Sequence, residues 1–370
     1  MRRTILRGSI FFAAAALLTL SVAAAFAGQG IDDQAGAAYV LTNRDTNNSI
    51  AVFHRSANGM LTAAGEVLTG GKGSGGGPDA LASQGSLRFS DSGDLLFAVN
   101  AGSNDVSVFR VAEKGLQLLQ TVASGGVQPV SIGAHRDLVY VLNAGGTPNI
   151  AGFRIGQDRK LHAIANSTRD LAGGASAAPA QVEFTPDGRL LLVTEKGTNS
   201  IDIFPIGDDG RTTDQKTQTS NGPVPFGFSF AKGATVLVSE AGSSSVSSYR
   251  VVDPDSLEPI SGAVPDTQKA ACWVAVTNSG RFAFVTNTAS GTVSSYRISP
   301  MGDLTLVSAV AATTGPTGAV DLAFSRDSRF LYVVNAALGT VTAFAVTEGS
   351  LTQIGSLGGL PTSVQGIVAR

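Results

Sequence analysis

Seven times along this chain an apolar strand runs into Asn or Glu, turns through a few Gly, Ser, Asn or Thr residues, and returns as a second strand of alternating apolar and polar residues. The copies are YVLTNRDTNNSIAVF (39–53), FAVNAGSNDVSVFRV (97–111), YVLNAGGTPNIAGFRI (140–155), LLLVTEKGTNSIDIF (190–204), LVSEAGSSSVSSYRV (237–251), FVTNTASGTVSSYRI (284–298) and YVVNAALGTVTAFAV (332–346). Each reads as a β-hairpin, because side chains alternate faces along a strand and Gly, Asn and Ser supply the tight turn. The anchors Asn43, Asn100, Asn143, Glu195, Glu240, Asn287 and Asn335 recur at intervals of 43 to 57 residues. A repeat of that length with several strands per unit is the signature of a β-propeller.

Between the hairpins lies a further strand ending in a polar turn, as in QPVSIGAHRD (128–137), PAQVEFTPDGR (179–189), ACWVAVTNSGR (271–281) and AVDLAFSRDSR (319–329). Outer strands such as KLHAIANS (160–167) and DLTLVSAV (303–310) bring the number to four per unit. The first hairpin has no inner strand before it, and the last segment, LPTSVQGIVAR (360–370), is an inner strand with no hairpin after it. The chain is therefore expected to be all-β: a seven-bladed propeller of four antiparallel strands per blade, closed by Ser363 to Val368 pairing beside Ala38 to Thr42. Closure of this kind leaves no open sheet edge.

Composition agrees with many short strands and tight turns, with 45 glycines, 43% apolar residues and only 15% charged ones. Arg2, Arg3 and Arg7 precede an apolar run from Ile10 to Ala25, and Ala25-Phe26-Ala27 offers a cleavage site, so residues 1–27 read as a signal peptide and 28–370 as the propeller. The protein is then exported, to the periplasm or beyond, with no membrane span after cleavage. Loss of those three arginines leaves 23 basic against 28 acidic residues, which argues against nucleic acid as a partner. A single cysteine, Cys272, permits no internal disulfide and no multi-cysteine zinc site.

The YVxN…SVxxF hairpins, the TPDGR turn (185–189) and GSLTQIG (349–355) give the mature chain a resemblance to the seven-bladed β-propeller lactonase family, which includes phosphogluconolactonases and carboxymuconate cyclases. Simpler YVTN-type propellers, many of them surface or binding proteins, carry much the same hairpin. The resemblance implies a lactone or its hydroxy acid as substrate. It also implies an inner strand opening with Pro-Arg-His and a following strand ending in Asn-Glu. Here the first reads Pro179-Ala180-Gln181, and Glu195 and Lys196 occupy the Asn and Glu positions. The family's arginine, histidine and glutamate are unmatched.

Antiparallel order places the seven anchors on one face. The starts of the inner strands, Ser86, Ser131, Gln181, Gly227, Trp273, Asp321 and Ser363, are expected to ring the channel mouth on that face. Asparagine at a strand end commonly bonds its own turn. Glutamate is a poorer turn former, so Glu195 and Glu240, on neighbouring blades, are candidates for an acid/base pair or for holding a divalent cation, calcium or magnesium. Lys196, or Arg169 on a loop, would stabilise an oxyanion. Gln181, Trp273, Phe226, Ser86, Ser131 and Asp321 are candidates to bind a small lactone or sugar acid, Trp273 by stacking or alternatively as a plug in the channel. His54, His135 and His162 fall away from that mouth, and Cys272 has no base in view. The loop LTGGKGSGGGPDALASQGS (68–86) lacks nucleotide-loop spacing and is expected to cover the mouth. Two readings follow from the sequence: an exported lactonase or cyclase using Glu195, Glu240 and Lys196, and a non-catalytic propeller binding a ligand or an envelope protein.

Overall fold

The computed structural model describes residues 34–113, 115–252 and 255–370. The proposed signal segment, 1–27, lies outside the described residues. Seven antiparallel sheets follow one another in chain order. Blade 1 holds Gln34–Leu41, Ser49–Ser56 and Leu61–Leu68, and the inner strands of blades 2 to 7 are Leu87–Phe89, Val127–His135, Pro179–Phe184, Pro225–Ala231, Ala271–Val276 and Ala319–Phe324. The ring closes as expected, with Ile367–Ala369 as the inner strand of blade 1. Val368 pairs with Tyr39 and Ile367 with Val40. The closing strand sits a little further along than its expected start at Ser363, but Ser363 still donates through Oγ to Thr42 O at 2.7 Å.

Second strands such as Leu190–Glu195 and Phe330–Asn335 are buried at every position, because neighbouring blades cover both faces of each sheet. This is why they read as unbroken apolar runs rather than alternating ones. The outermost strands are largely exposed, as in Lys216–Thr219. In blade 3 the expected outer strand 160–167 is split into Leu161–Ala163 and Arg169–Asp170, both paired with Asn149–Ile155. Buried tyrosines tie three pairs of neighbouring blades: 3 to 4, 5 to 6, and 7 to 1. Tyr140 Oη donates to Gly210 O at 2.9 Å, Tyr296 Oη to Val264 O at 3.1 Å and Tyr332 Oη to Gly59 O at 2.9 Å. A buried phenol needs such a partner, because an unpaired polar group inside the protein costs free energy. Among the described residues, no helix is long and apolar enough to cross a membrane.

The turn that ends each inner strand sets the height of the face opposite the anchors. Between inner and second strands there are five residues in blades 2, 4, 6 and 7, two in blade 3 (136–137) and three in blade 5 (232–234). The five-residue turns carry their own brace: in blade 4, Thr185 Oγ1 accepts from Leu190 N at 3.1 Å and donates to Asp187 Oδ1 at 2.6 Å. Gly188 lies at φ +75°, and a Cβ there would come within 2.2 Å of the His135 ring, so glycine is required on both counts. The short turns of blades 3 and 5 leave two recesses, one on each side of the tall turn of blade 4.

Candidate functional site

All seven anchors are fully buried; Asn100, Asn143, Glu195, Asn287 and Asn335 bond within their own hairpins, while Asn43 Nδ2 donates to Gln365 O of the closing segment and Glu240 reaches back to Ser220. Asn100 Nδ2 donates to Asp105 Oδ1 (2.6 Å) and Ser107 Oγ (2.7 Å), and Asn287 Nδ2 donates to Thr292 Oγ1 (3.2 Å) and Ser294 Oγ (2.7 Å). In these two the anchor bonds the residues five and seven places on, at the start of the returning strand. Glu195 keeps this arrangement. It accepts from Ser200 Oγ at 3.3 Å, from Thr198 Oγ1 at 2.5 Å and from Gly173 N at 3.1 Å. It also faces Asp202, seven places on. Burial, then the Glu195 carboxyl, push Asp202 up to about 7. Glu240 accepts from Ser220 Oγ at 2.8 Å, while its Oε2 is buried without a partner. Burial above all raises it to about 7.

Glu195 and Glu240 therefore share no hydrogen-bond partner, and neither has an exposed face. A cation held between Glu195 and Glu240 does not fit the residues present: each carboxyl is buried within its own blade and is bonded to a separate set of N–H and O–H donors, Gly173, Thr198 and Ser200 for the first and Ser220 for the second. No group of three or more His, Cys, Asp or Glu side chains arranged to hold a metal ion occurs among the described residues.

The mouth on the anchor face is filled from above. Segment Asp79–Ser86 of the 68–86 loop drops into the channel, where Ser83 Oγ donates to Val130 O (2.8 Å) and Gln84 N to Ala180 O (3.1 Å). Ser83 O accepts from Trp273 Nε1 and from Gln365 Nε2, each at 2.8 Å. Gln84 then crosses the channel to blade 6, accepting from Val274 N at 3.0 Å and donating to Val274 O at 2.9 Å. It passes where a Cβ on Gly227 would come within 2.0 Å of its Oε1, so the glycine opens the path. Gln181 makes the same paired bond to Phe228, at 2.7 and 3.0 Å.

The residues expected to meet a ligand from this face are accordingly closed off. Trp273, Ser86 and Ser131 are fully buried, and Gln181, Phe226 and Asp321 are nearly so. Trp273 takes the packing role, with Phe226 edge-on at 4.8 Å. Ser131 Oγ accepts from Val182 N at 3.1 Å, and Asp321 Oδ1 accepts from Leu322 N at 2.8 Å in a left-handed bulge. Burial raises Asp321 to about 7 and pushes the Cys272 thiol up to about 12. The thiol therefore stays protonated and is no nucleophile. Arg169 bonds the carbonyls of Asn166 and Thr168, and His54 and His162 lie on exposed outer positions.

Lys196 is the predicted residue that does reach the mouth. Its Nζ donates to Ala82 O (2.5 Å) and Pro179 O (3.0 Å) and lies 5.1 Å from the centre of the Phe226 ring. Burial lowers it to about 8, and the nearby Asp79 opposes the fall. Asp79, missed in the sequence because it lies in a glycine-rich loop, is raised to about 6 by burial against the pull of Lys196. Its Oδ1 is buried and unpartnered. A half-buried carboxyl raised to about 6 and a half-buried ammonium lowered to about 8 thus lie within electrostatic reach of each other, the ammonium above the Phe226 ring.

The opposite mouth is open. A cavity of about 470 Å³ runs in beside the short turn of blade 3, with Gln84 and Gln181 at its inner end and Arg88, Glu183, His135 and Asp91 along it. Arg88 Nη1 is paired with Glu183 Oε2.

A sequence model described as "Lactonase, 7-bladed beta-propeller" matches residues 147–259 and 257–369. Among solved structures, a protein from Lactobacillus plantarum is similar at 18% identity, covering 90% of this chain and 99% of that one with a TM-score of 0.76. A proposed 6-phosphogluconolactonase from Bacteroides fragilis is similar at 21% identity, covering 92% and 99% with a TM-score of 0.72. The periplasmic gluconolactonase of Pseudomonas aeruginosa is similar at 17% identity, covering 90% and 99% with a TM-score of 0.71. At these identities the likeness is one of fold. No protein of curated function matches the chain.

Proposed function

The chain belongs to the seven-bladed β-propeller lactonase family, and on that premise we propose that it is an exported lactonase-type enzyme acting on a small lactone or its hydroxy acid at the anchor-face mouth. The observation that carries this reading is the Asp79–Lys196 pair. Hydrolysis needs a base to take a proton from water and a cation to stabilise the oxyanion formed at the lactone carbonyl. Asp79 has an unbonded oxygen for the first task. Lys196 has an ammonium for the second once it leaves the carbonyls of Ala82 and Pro179. Water adds to the carbonyl carbon, the ring C–O bond breaks, and the proton held by Asp79 passes to the departing ring oxygen. Ring closure is the same sequence reversed.

The 79–86 segment has to lift for a ligand to enter, and Phe226 and Trp273 would then form the floor against the apolar side of the ring. In this reading Glu195 fixes the turn from which Lys196 projects, and Glu240 ties the hairpin of blade 5 to Ser220 at the end of blade 4's outer strand. The segment 1–27 supports export, to the periplasm or beyond.

The test is acid release from a panel of sugar and aromatic lactones by purified mature protein, with and without chelator. Turnover that falls at least 100-fold in Asp79→Asn and Lys196→Met, yet survives Glu195→Gln/Glu240→Gln, supports the assignment. Turnover lost with the glutamates and retained in the other two would return the chemistry to Glu195 and Glu240. The bonds that seal this mouth favour a second reading, a non-catalytic propeller that binds a ligand or an envelope protein, and absence of turnover on every lactone would support it.

A further inference from the structure

The channel is closed at its waist, so its two ends are separate compartments. The paired bonds of Gln84 to Val274 and of Gln181 to Phe228 form the partition. Nothing in the reading above uses the far end, yet it is the open one. Its cavity, about 470 Å³, lies within the range of roughly 300–1,000 Å³ common for small-ligand sites. It exists because the turn of blade 3 has two residues while its neighbours in blades 2 and 4 have five.

The lining sets the chemistry of an occupant. Arg88 contributes one positive charge, and its partner Glu183 is nearly fully buried. Asp91, nearer the surface, accepts from Arg136 N at 2.7 Å and lies 3.9 Å from His135 Nδ1. One guanidinium against two carboxyls leaves no surplus of positive charge for a phosphate or carboxylate, and the guanidinium opposes a cation. Desolvating an unpaired charge there would be costly. Donors and acceptors alternate instead: the guanidinium, the remaining N–H of each glutamine amide, the imidazole, and the carboxyl oxygens. Hydroxyl groups, which both donate and accept, satisfy such a wall best. Phe230, half-buried and edge-on to Phe228 at 5.9 Å, offers an apolar wall for C–H groups.

We propose that this far mouth is a second site, one that binds an uncharged polyol of monosaccharide size and discriminates against its phosphate ester. Burial raises Glu183 to about 7, against the pull of Arg88, which lets the carboxyl donate as well as accept near neutrality. With the 79–86 segment seated, the glutamine partition lies between this site and the other mouth.

Saturation-transfer NMR and titration calorimetry on the full mature protein test this with D-glucose, myo-inositol and D-glucose 6-phosphate. The expected result is saturable binding of glucose or inositol, at least 10-fold tighter than the phosphate ester. Half-buried Ser229 lines the cavity, and Ser229→Phe fills it. That variant, checked for an unchanged melting temperature, is expected to weaken binding at least 10-fold, as is Arg88→Leu. His162→Ala, on an exposed outer strand away from the cavity, leaves binding unchanged. Absence of saturable binding by both neutral polyols, tighter binding of the phosphate ester, or wild-type affinity in Ser229→Phe would each overturn the proposal. None of these outcomes depends on whether a lactone is hydrolysed, so failure of the lactonase reading and failure of this one are distinct.

Discussion

Replacing Glu240 by glutamine separates a structural anchor from a catalytic one. Glu240 is fully buried, accepts one hydrogen bond from Ser220 Oγ at 2.8 Å, and leaves Oε2 unpartnered. Its carboxyl is raised from 4.5 to about 7, chiefly by burial. An acid that holds its proton more tightly when folded is fully stabilising only below its unfolded value, and that contribution is lost as pH rises through the folded value. At about 1.4 kcal/mol per unit, ionised Glu240 at pH 8.5 costs the fold roughly 3 kcal/mol relative to the protonated acid. Glutamine keeps the acceptor for Ser220, offers an amide to the neighbouring Ser247 hydroxyl, and carries no charge at any pH. At about 2.1 cal/mol/K per residue, a domain of about 340 residues gains roughly 4 °C for that energy. Scanning calorimetry of both proteins should show Glu240→Gln melting about 4 °C higher at pH 8.5, with the gap mostly closed by pH 4.5. Parallel curves across the range would refute the reasoning, and a lower melting point for the variant at pH 8.5 would mean that Oε2 has a partner in solution.

The same sign holds for Asp79, Glu183, Asp202, Asp266 and Asp321, each raised to about 6 or 7 with burial as the largest cause. The wild-type melting temperature is therefore expected to fall steadily between pH 5 and 8. Lys196, lowered to about 8, acts in the other direction: its folded form sheds its proton first, so it adds stability only as pH rises from 8 towards 10.5. Lys196→Met removes the bonds to Ala82 and Pro179. The emission of Trp273, the chain's one tryptophan, should shift to the red and become quenchable by acrylamide, and an unchanged spectrum would mean that Lys196 does not hold the segment down. Gly227→Ala places a methyl against Gln84 Oε1. It is expected to cost about 1–3 kcal/mol in urea unfolding, as overpacked interiors do.

Much of the architecture was legible because a propeller writes itself into local sequence. The anchor, its turn and the returning strand lie within eight residues, so Asn100, Asn287 and their kin could be read as latches without knowing what surrounds them. Closure could be inferred because a hairpin without an inner strand and an inner strand without a hairpin must complete each other, as Val368 and Tyr39 do. Lys196 was found for a similar local reason, since it follows an anchor. What escaped was contact between blades far apart in the chain. Gln84 meets Val274 across 190 residues, and Ser83 holds Trp273 across as many. Nothing in a glycine-rich loop marks which polar residue will turn inward. Glu183 was hidden differently: it sits in an inner strand, PAQVEF, where alternation is satisfied by either face, and only the shortness of the neighbouring turn leaves its pair with Arg88 beside an opening.

The inward segment Asp79–Ser86 also changes how the ring can come apart. In most repeat folds each unit touches only its neighbours, and unfolding can start at one end and travel unit by unit. Here one stretch of eight residues is bonded to blade 1 through Gln365, to blade 3 through Val130, to blade 4 through Ala180 and Lys196, and to blade 6 through Trp273 and Val274. It works as the hub of a spoked wheel. No blade joined to it can peel away without unseating a piece shared with the others, which turns a string of seven semi-independent units into a body that melts as one. A single proteolytic cut in that stretch would then loosen blades on every side of the ring at once.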